Sequence, residues 1–407
     1  MKPPRVLPVA FLVALLATGA EFFPPLPGVA AEPEPKKKDY STNAADREAC
    51  EHQLNWIHGA IQEYYKRNRR LPRWLSDLCP EFLHDRETLI CPYVKNTGSF
   101  KRWREQHAII PVFGDAASSY AYEYCTALIQ PVIGKTCHDY KKRQMEVLGF
   151  SVPVVRCFAH KRYLNLAYDG NVYESELTWE DNFVRSKADQ KFFHNVGWIT
   201  TKSQNEAVAE MLPPREANID GRLLDLTKYY NALLLHLSQL DPSGKLLSLH
   251  PQGITNIDGI QFDVRGLVHL STTGFPNDFP EKIENIPINR KCARIHFLHG
   301  AMFEAPPGSR IASFGALIDG EHPVAIPILY GKDVKTRWFN PRQGAGLDPK
   351  PAWVSPPDQA GSARKSLRLY RKTWENPAPE VPVKTLSFVS HMTASTPFLL
   401  AITLDAP

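Results

Sequence analysis

Seven cysteines are the most reactive side chains of this 407-residue chain. Six of them, Cys50, Cys79, Cys91, Cys125, Cys137 and Cys157, fall in the first half, and Cys292 stands apart in the second. Clustered cysteines either oxidise in pairs or bind a soft metal as thiolates. No C-x2-C pair is present, which argues against a zinc site, so the expected chemistry is disulfide formation with no metal and no cofactor. The pairs expected are Cys91–Cys157, Cys125–Cys137 and Cys50–Cys79, although spacing alone does not select among the alternatives. Cys292 lies in a strand-like stretch and reads as a buried thiol.

His160, with Asp169 as its partner, would suit acid–base or metal chemistry. A histidine beside a hairpin is more often packed or bonded locally, and Asp169-Gly170 reads as the turn itself. A second candidate is the aromatic and basic stretch of Arg337, Trp338 and Trp353. Aromatic faces pack on the CH faces of sugars and arginine donates to hydroxyls or carboxylates. The alternative is that both tryptophans cap one end of a sandwich. Enzyme motifs are otherwise missing: no G-x-S-x-G, H-E-x-x-H or phosphate loop occurs. The match of Ser362 and Lys365 to S-x-x-K lacks its companion motifs. No catalytic residue is expected.

These residues need elements to position them. Residues 1–31 open with Lys2 and Arg5, run through an apolar stretch over 6–20 and reach small residues at 29–31, the order of a secretory signal peptide. Residues 32–43 are polar and proline-rich, a linker. Asn43 with Asp46 marks a helix start. Cys50, Leu54, Ile57, Ile61 and Tyr64 then draw one apolar stripe that ends near Asn68. Lys66, Arg67, Arg69 and Arg70 crowd that end and complement the helix dipole. Alternating runs on both sides of Asp169-Gly170 predict a hairpin. A linker is expected over 185–217.

Beyond it, alternation dominates. Ile260, Phe262 and Val264 share one face, as do Ala293, Ile295 and Phe297. Phe314, Ala316 and Ile318 precede a polar turn, and Val324, Ile326, Ile328 and Tyr330 follow it. Leu367 with Leu369, Leu386 with Phe388, and Phe398, Leu400, Ile402 and Leu404 complete the set. Seven or eight strands with polar turns argue for an all-β sandwich, most simply a jelly roll. The net charge of +5 is mild and spread out, which gives no reason to expect nucleic acid as a partner.

The helix with Cys50, the Leu71-Pro72 stretch, Cys91-Pro92 and His160 followed by Asp169-Gly170 resemble the pseudopilin-like proteins of type II secretion and type IV pilus systems. The closer likeness is to the subgroup with a His…Asp-Gly signature. The resemblance covers about residues 44–180 and implies a long helix plus a small antiparallel sheet over 44–184. It departs from the pattern in two places. The spacing from His160 to Asp169 is one residue short, and the basic leader needed for pilin processing is missing. Residues 218–407 resemble a galactose-binding-like jelly roll on the strands around Gly259, Ile286, Ile326 and Trp374. The expected fold is therefore an α+β pilin-like domain followed by an all-β jelly-roll sandwich.

The expected function is that of a non-catalytic exported protein of the periplasm, envelope or extracellular space, binding a glycan or an envelope protein through its C-terminal sandwich. The alternatives are a component of a secretion or pilus-like assembly, with secretion-system partners, and a secreted glycan-active hydrolase. Membrane contact is expected only if the N-terminal segment is retained.

Overall fold

A computed structural model describes residues 40–98, 100, 117–130, 135–175, 204–237, 239–240, 246–247, 250–275, 277–318, 323–339, 349–356 and 366–407. The expected signal segment, most of both linkers, the turn at Asp319-Gly320 and the Ser362/Lys365 pair lie outside these residues. The chain divides into two compact units, residues 1–143 with 150–197, and residues 144–149 with 198–407.

In the first unit, helix α1 spans Ala44–Asn68. Asn43 caps it, accepting from the Ala45 N–H at 3.0 Å. Asp46 accepts from the Ser41 hydroxyl at 2.9 Å, and that hydroxyl takes the Asn43 N–H at 3.2 Å. The helix stops where Arg69 turns left-handed, φ 55°, and donates its N–H to Tyr65. Cys50, Leu54, Ile57, Ile61 and Tyr64 form the buried stripe, as their spacing demands.

That stripe faces an antiparallel sheet of β1 (Ala121–Tyr122), β2 (Pro153–Cys157), β3 (Tyr163–Ala167) and β4 (Val172–Ser175), in that order. Helix α1 lies against β3 and β4. Asp169-Gly170 sits in the turn between β3 and β4, with Gly170 at φ +84°. The Asp169 carboxylate accepts from the Asn171 N–H and the Tyr173 hydroxyl, both at 2.9 Å. A Cβ on Gly170 would sit 2.8 Å from Cε1 of His58, so any other residue must displace that ring as well as adopt the positive φ. A short helix, α2 (Pro92–Asn96), follows Cys91, and α3 (Cys137–Leu148) begins in this unit and ends in the second. Glu123 accepts from Arg156 at 2.7 Å and from Lys141 at 3.0 Å in a buried ion network beneath the sheet.

The second unit is mostly antiparallel sheet with few helices, consistent with a β-sandwich. Besides a short pair at Gln239–Leu240 and Leu246–Leu247, its strands are β5 (Gly253–Ile257), β6 (Ile260–Val264), β7 (Val268–His269), β8 (Lys282–Arg290), β9 (Arg294–Met302), β10 (Arg310–Ile318), β11 (Val324–Leu329), β12 (Trp338–Phe339), β13 (Trp353–Val354), β14 (Ser366–Glu375), β15 (Val383–Ser390) and β16 (Thr396–Asp405). One sheet runs β8-β15-β10-β11 and the other β7-β16-β9-β14-β12, with β13 also pairing β14. Strands β5 and β6 form a separate hairpin, turned at Asp258 and Gly259 with positive φ at both.

The two sheets meet through stacked rings. Phe297 of β9 stacks across the sheets on Phe314 of β10, ring centres 3.9 Å apart, and Phe314 lies 4.9 Å from Phe388, its neighbour on β15 in the same sheet. The expected facing of β10 and β11 holds: Phe314 stands opposite Ile326 and Ala312 opposite Ile328, all four buried. Among the described residues no helix is long and apolar enough to cross a membrane.

Candidate functional site

The thiols of the first unit do not pair as expected. None of the seven cysteines forms a disulfide. Cys50 lies in the core with Cys91 and Cys157 instead of meeting Cys79, because its place on the buried stripe of α1 points it at the end of β2. Cys91 and Cys157 are indeed neighbours, but they share their site with Cys50 and His160. The three sulfurs and one ring nitrogen of His160 all lie within 4.8 Å of one another, and all four side chains are buried.

Each member is fixed by a separate element. Cys50 sits in the second turn of α1. Cys91 is the residue before Pro92 at the start of α2, and its N–H is held by the Ser119 hydroxyl at 2.7 Å. Cys157 ends β2. His160 follows three residues later, in a segment pinned by a parallel bridge to Ser41 that uses the Ala159 carbonyl and the Lys161 N–H.

Nε2 of His160 is 3.4 Å from Sγ of Cys91, and the Tyr120 hydroxyl is 3.6 Å from Sγ of Cys50. Nδ1 of His160 has no hydrogen-bond partner among the described residues. Hydrogen bonds from Cys157 and Cys50 hold the Cys91 thiol well below its usual range, with His160 adding to the effect. Burial pushes the Cys50 and Cys157 thiols up. Three thiols and an imidazole can either oxidise pairwise or coordinate one soft ion.

His160 thus belongs with the cysteines and not with Asp169. Asp169 spends its carboxylate on the turn, and its charge bears instead on His58, whose pKa is lowered mainly by burial. Cys125 and Cys137 are neighbours but not the expected disulfide: both are free thiols, and a hydrogen bond between them lowers the Cys125 thiol and raises that of Cys137.

In the second unit, Trp338 stands opposite Leu367 on one edge of β14, and Trp353 stands opposite Leu369 on the other. Residues two apart on a strand share a face, and residues directly opposite share it too. Both tryptophans therefore lean to the side of Leu367 and Leu369, which are themselves fully buried. Both are half-buried. Arg337 is buried, with its guanidinium 5.8 Å from the centre of the Trp338 ring. Its charge also reaches His236 and His269. Most of the loop between the two tryptophans, 340–348, lies outside the described residues.

Sequence reasoning missed two further groups. His236, His269 and His299 are buried; burial pulls His236 down to about 3, His299 down to about 4 and His269 well below its usual value. Among the described residues His269 has no hydrogen-bond partner at either ring nitrogen, and it stacks on Phe279 at 4.9 Å.

The second group is a line of hydrogen bonds from the Thr373 hydroxyl to His296 (2.9 Å) and on to Asp405 (3.1 Å). It has the order of a hydroxyl–imidazole–carboxylate relay. His296 is buried, however, and Arg294 holds Asp405 at 2.6 Å. The three residues sit on adjacent strands β14, β9 and β16, so the line ties the sheet crosswise. No family model matches the chain, and no similar protein was found among curated proteins or solved structures.

Proposed function

We propose that the chain is a non-catalytic exported protein that binds glycan through its C-terminal β-sandwich. The observation that carries this reading is the pair of half-buried tryptophans on one side of β14. Two aromatic faces held on the same side of a sheet suit the CH faces of neighbouring sugar rings. The Arg337 guanidinium, 5.8 Å from the centre of the Trp338 ring, is within cation–π range of it. The Thr373–His296–Asp405 line gives a hydrolase little support, because the imidazole is buried inside the sheet. We read the first unit, a long helix laid on a four-stranded antiparallel sheet, as a pseudopilin-like domain on the strength of its sequence resemblance. In this reading it serves as a spacer or docking module, and the sandwich as a jelly roll of the galactose-binding kind.

The test is a fluorescence titration of the full chain with neutral and acidic oligosaccharides, alongside Trp353→Ala. Saturable quenching that weakens at least tenfold in the variant supports the proposal, a loss of about 1.4 kcal/mol. A flat response to every sugar, with the circular dichroism spectrum intact, refutes glycan binding.

A further inference from the structure

Independently of the sandwich, the first unit carries a set of donors with the character of a coordination site. A tetrahedral zinc ion bonds sulfur at about 2.3 Å and imidazole nitrogen at about 2.0–2.1 Å, so its ligand atoms stand roughly 3.5–3.8 Å apart. The Cys91 sulfur and the His160 nitrogen are 3.4 Å apart, and every donor pair falls within 4.8 Å. A small inward shift of the wider pairs closes the polyhedron around one ion. An iron–sulfur cluster, with several metal and sulfide atoms between its ligands, would need the donors spread further.

Two competing explanations account for less. A Cys91–Cys157 disulfide would consume two thiols and leave Cys50 and His160 gathered around it without a role. A purely apolar packing of reduced cysteines explains the three thiols, since free cysteine is at home in a core. It does not explain His160, a buried imidazole whose nearest partner at Nε2 is a thiol and whose Nδ1 has no partner among the described residues. Burying a polar ring with so little hydrogen bonding is costly unless something else binds it. Ligation through Nε2 supplies that binding.

We propose that Cys50, Cys91, Cys157 and His160 hold one Zn2+ ion as a structural Cys3His centre. The ion enters as the three thiol protons leave, and the neutral imidazole completes the tetrahedron. Four protein ligands leave no open position for water or substrate, so the centre is closed and non-catalytic. A sulfur-rich tetrahedral donor set selects zinc over magnesium or calcium. The Tyr120 hydroxyl, which bonds Gln53 at 2.9 Å, lies over the Cys50 sulfur and can turn its proton to the thiolate. The ion would clasp α1, the Cys91 turn and the end of β2, three pieces far apart in sequence.

The full chain, purified without chelator and supplied with zinc, should carry about one Zn2+ per chain. Exchange with Co2+ should give the visible bands and the sulfur-to-metal charge transfer of a tetrahedral thiolate site. Cys157→Ser and His160→Gln should lose most of the metal, whereas Cys125→Ser, in the same unit, should keep it. If the two ligand variants fail to fold, the cobalt spectrum and a peptide map of the wild-type chain still decide. A wild-type chain that takes up no zinc overturns the proposal. So does a map showing any two of Cys50, Cys91 and Cys157 joined as a disulfide, or zinc that remains bound in a folded Cys157→Ser chain.

Discussion

Replacing Gly170 with alanine separates two costs that the turn of the first unit combines. Gly170 has φ +84°, a region that costs an ordinary residue about 1–2 kcal/mol. The added Cβ would also stand 2.8 Å from Cε1 and 3.2 Å from Nδ1 of His58. His58 must then move, giving up its contacts with the Tyr168 carbonyl and with Gln62, both at 3.4 Å. Displacing a packed ring adds about 1–3 kcal/mol. The expected total for Gly170→Ala is about 3 kcal/mol.

Gly98 is the control. Its φ is +71°, yet nothing lies within 4 Å of an added Cβ, so Gly98→Ala should cost only the backbone part, about 1 kcal/mol. In a His58→Ala background the cost of Gly170→Ala should fall towards the Gly98 value, a coupling of about 1–2 kcal/mol. Urea unfolding monitored by hydrogen exchange in peptides from α1 would measure the wild type and the four variants. Equal costs at Gly170 and Gly98, or no coupling to His58, would show that the turn needs glycine for backbone angle alone.

Two other outcomes follow from the second unit. Phe314→Ala removes a ring stacked on both Phe297 and Phe388 and should cost about 3–5 kcal/mol, against about 2–5 kcal/mol for Ile402→Ala, in urea unfolding. A loss under about 1 kcal/mol at Phe314 would mean the sheets do not meet through it. The buried histidines should make this unit acid-sensitive. His236 and His299 have folded values near 3 and 4, below the unfolded value, so above the unfolded pKa neither state binds a proton and they contribute nothing. As pH falls through that value only the unfolded chain is protonated, and each fully buried histidine should remove about 2 kcal/mol between pH 7 and pH 5. His299→Phe should flatten that slope; an unchanged slope would place the titrating groups elsewhere.

The scaffold was legible because local patterns decide it. The 3.6-residue stripe of Cys50, Leu54, Ile57, Ile61 and Tyr64 is buried as spaced, and the alternation around Phe314 and Ile326 returned as a matched pair of strands. The turn at Asp169-Gly170 was legible too, since the backbone angle there is a property of two residues. What could not be read was whether a polar residue goes inside. Arg337 looked like an exposed donor, but its burial depends on how β12 meets β14, a contact between segments about thirty residues apart. The buried histidines escaped for the same reason: nothing local distinguishes His269 from a surface histidine.

The thiol–imidazole cluster shows this limit most sharply. Searching for C-x2-C assumes that a metal site draws its ligands two by two from single turns. Here only Cys157 and His160 keep that short spacing, at the end of β2, while Cys50 comes from the helix and Cys91 from the turn before α2. The cue was therefore a C-x2-H, half of a site, with its other half decided by tertiary packing. Once the stripe of α1 is known to face the sheet, Cys50 must lie near the end of β2, because it leads that stripe at the helix's start. Reading which element each cysteine sits on, and which face it occupies, brings Cys50 to Cys157 and His160 and not to the expected partner Cys79.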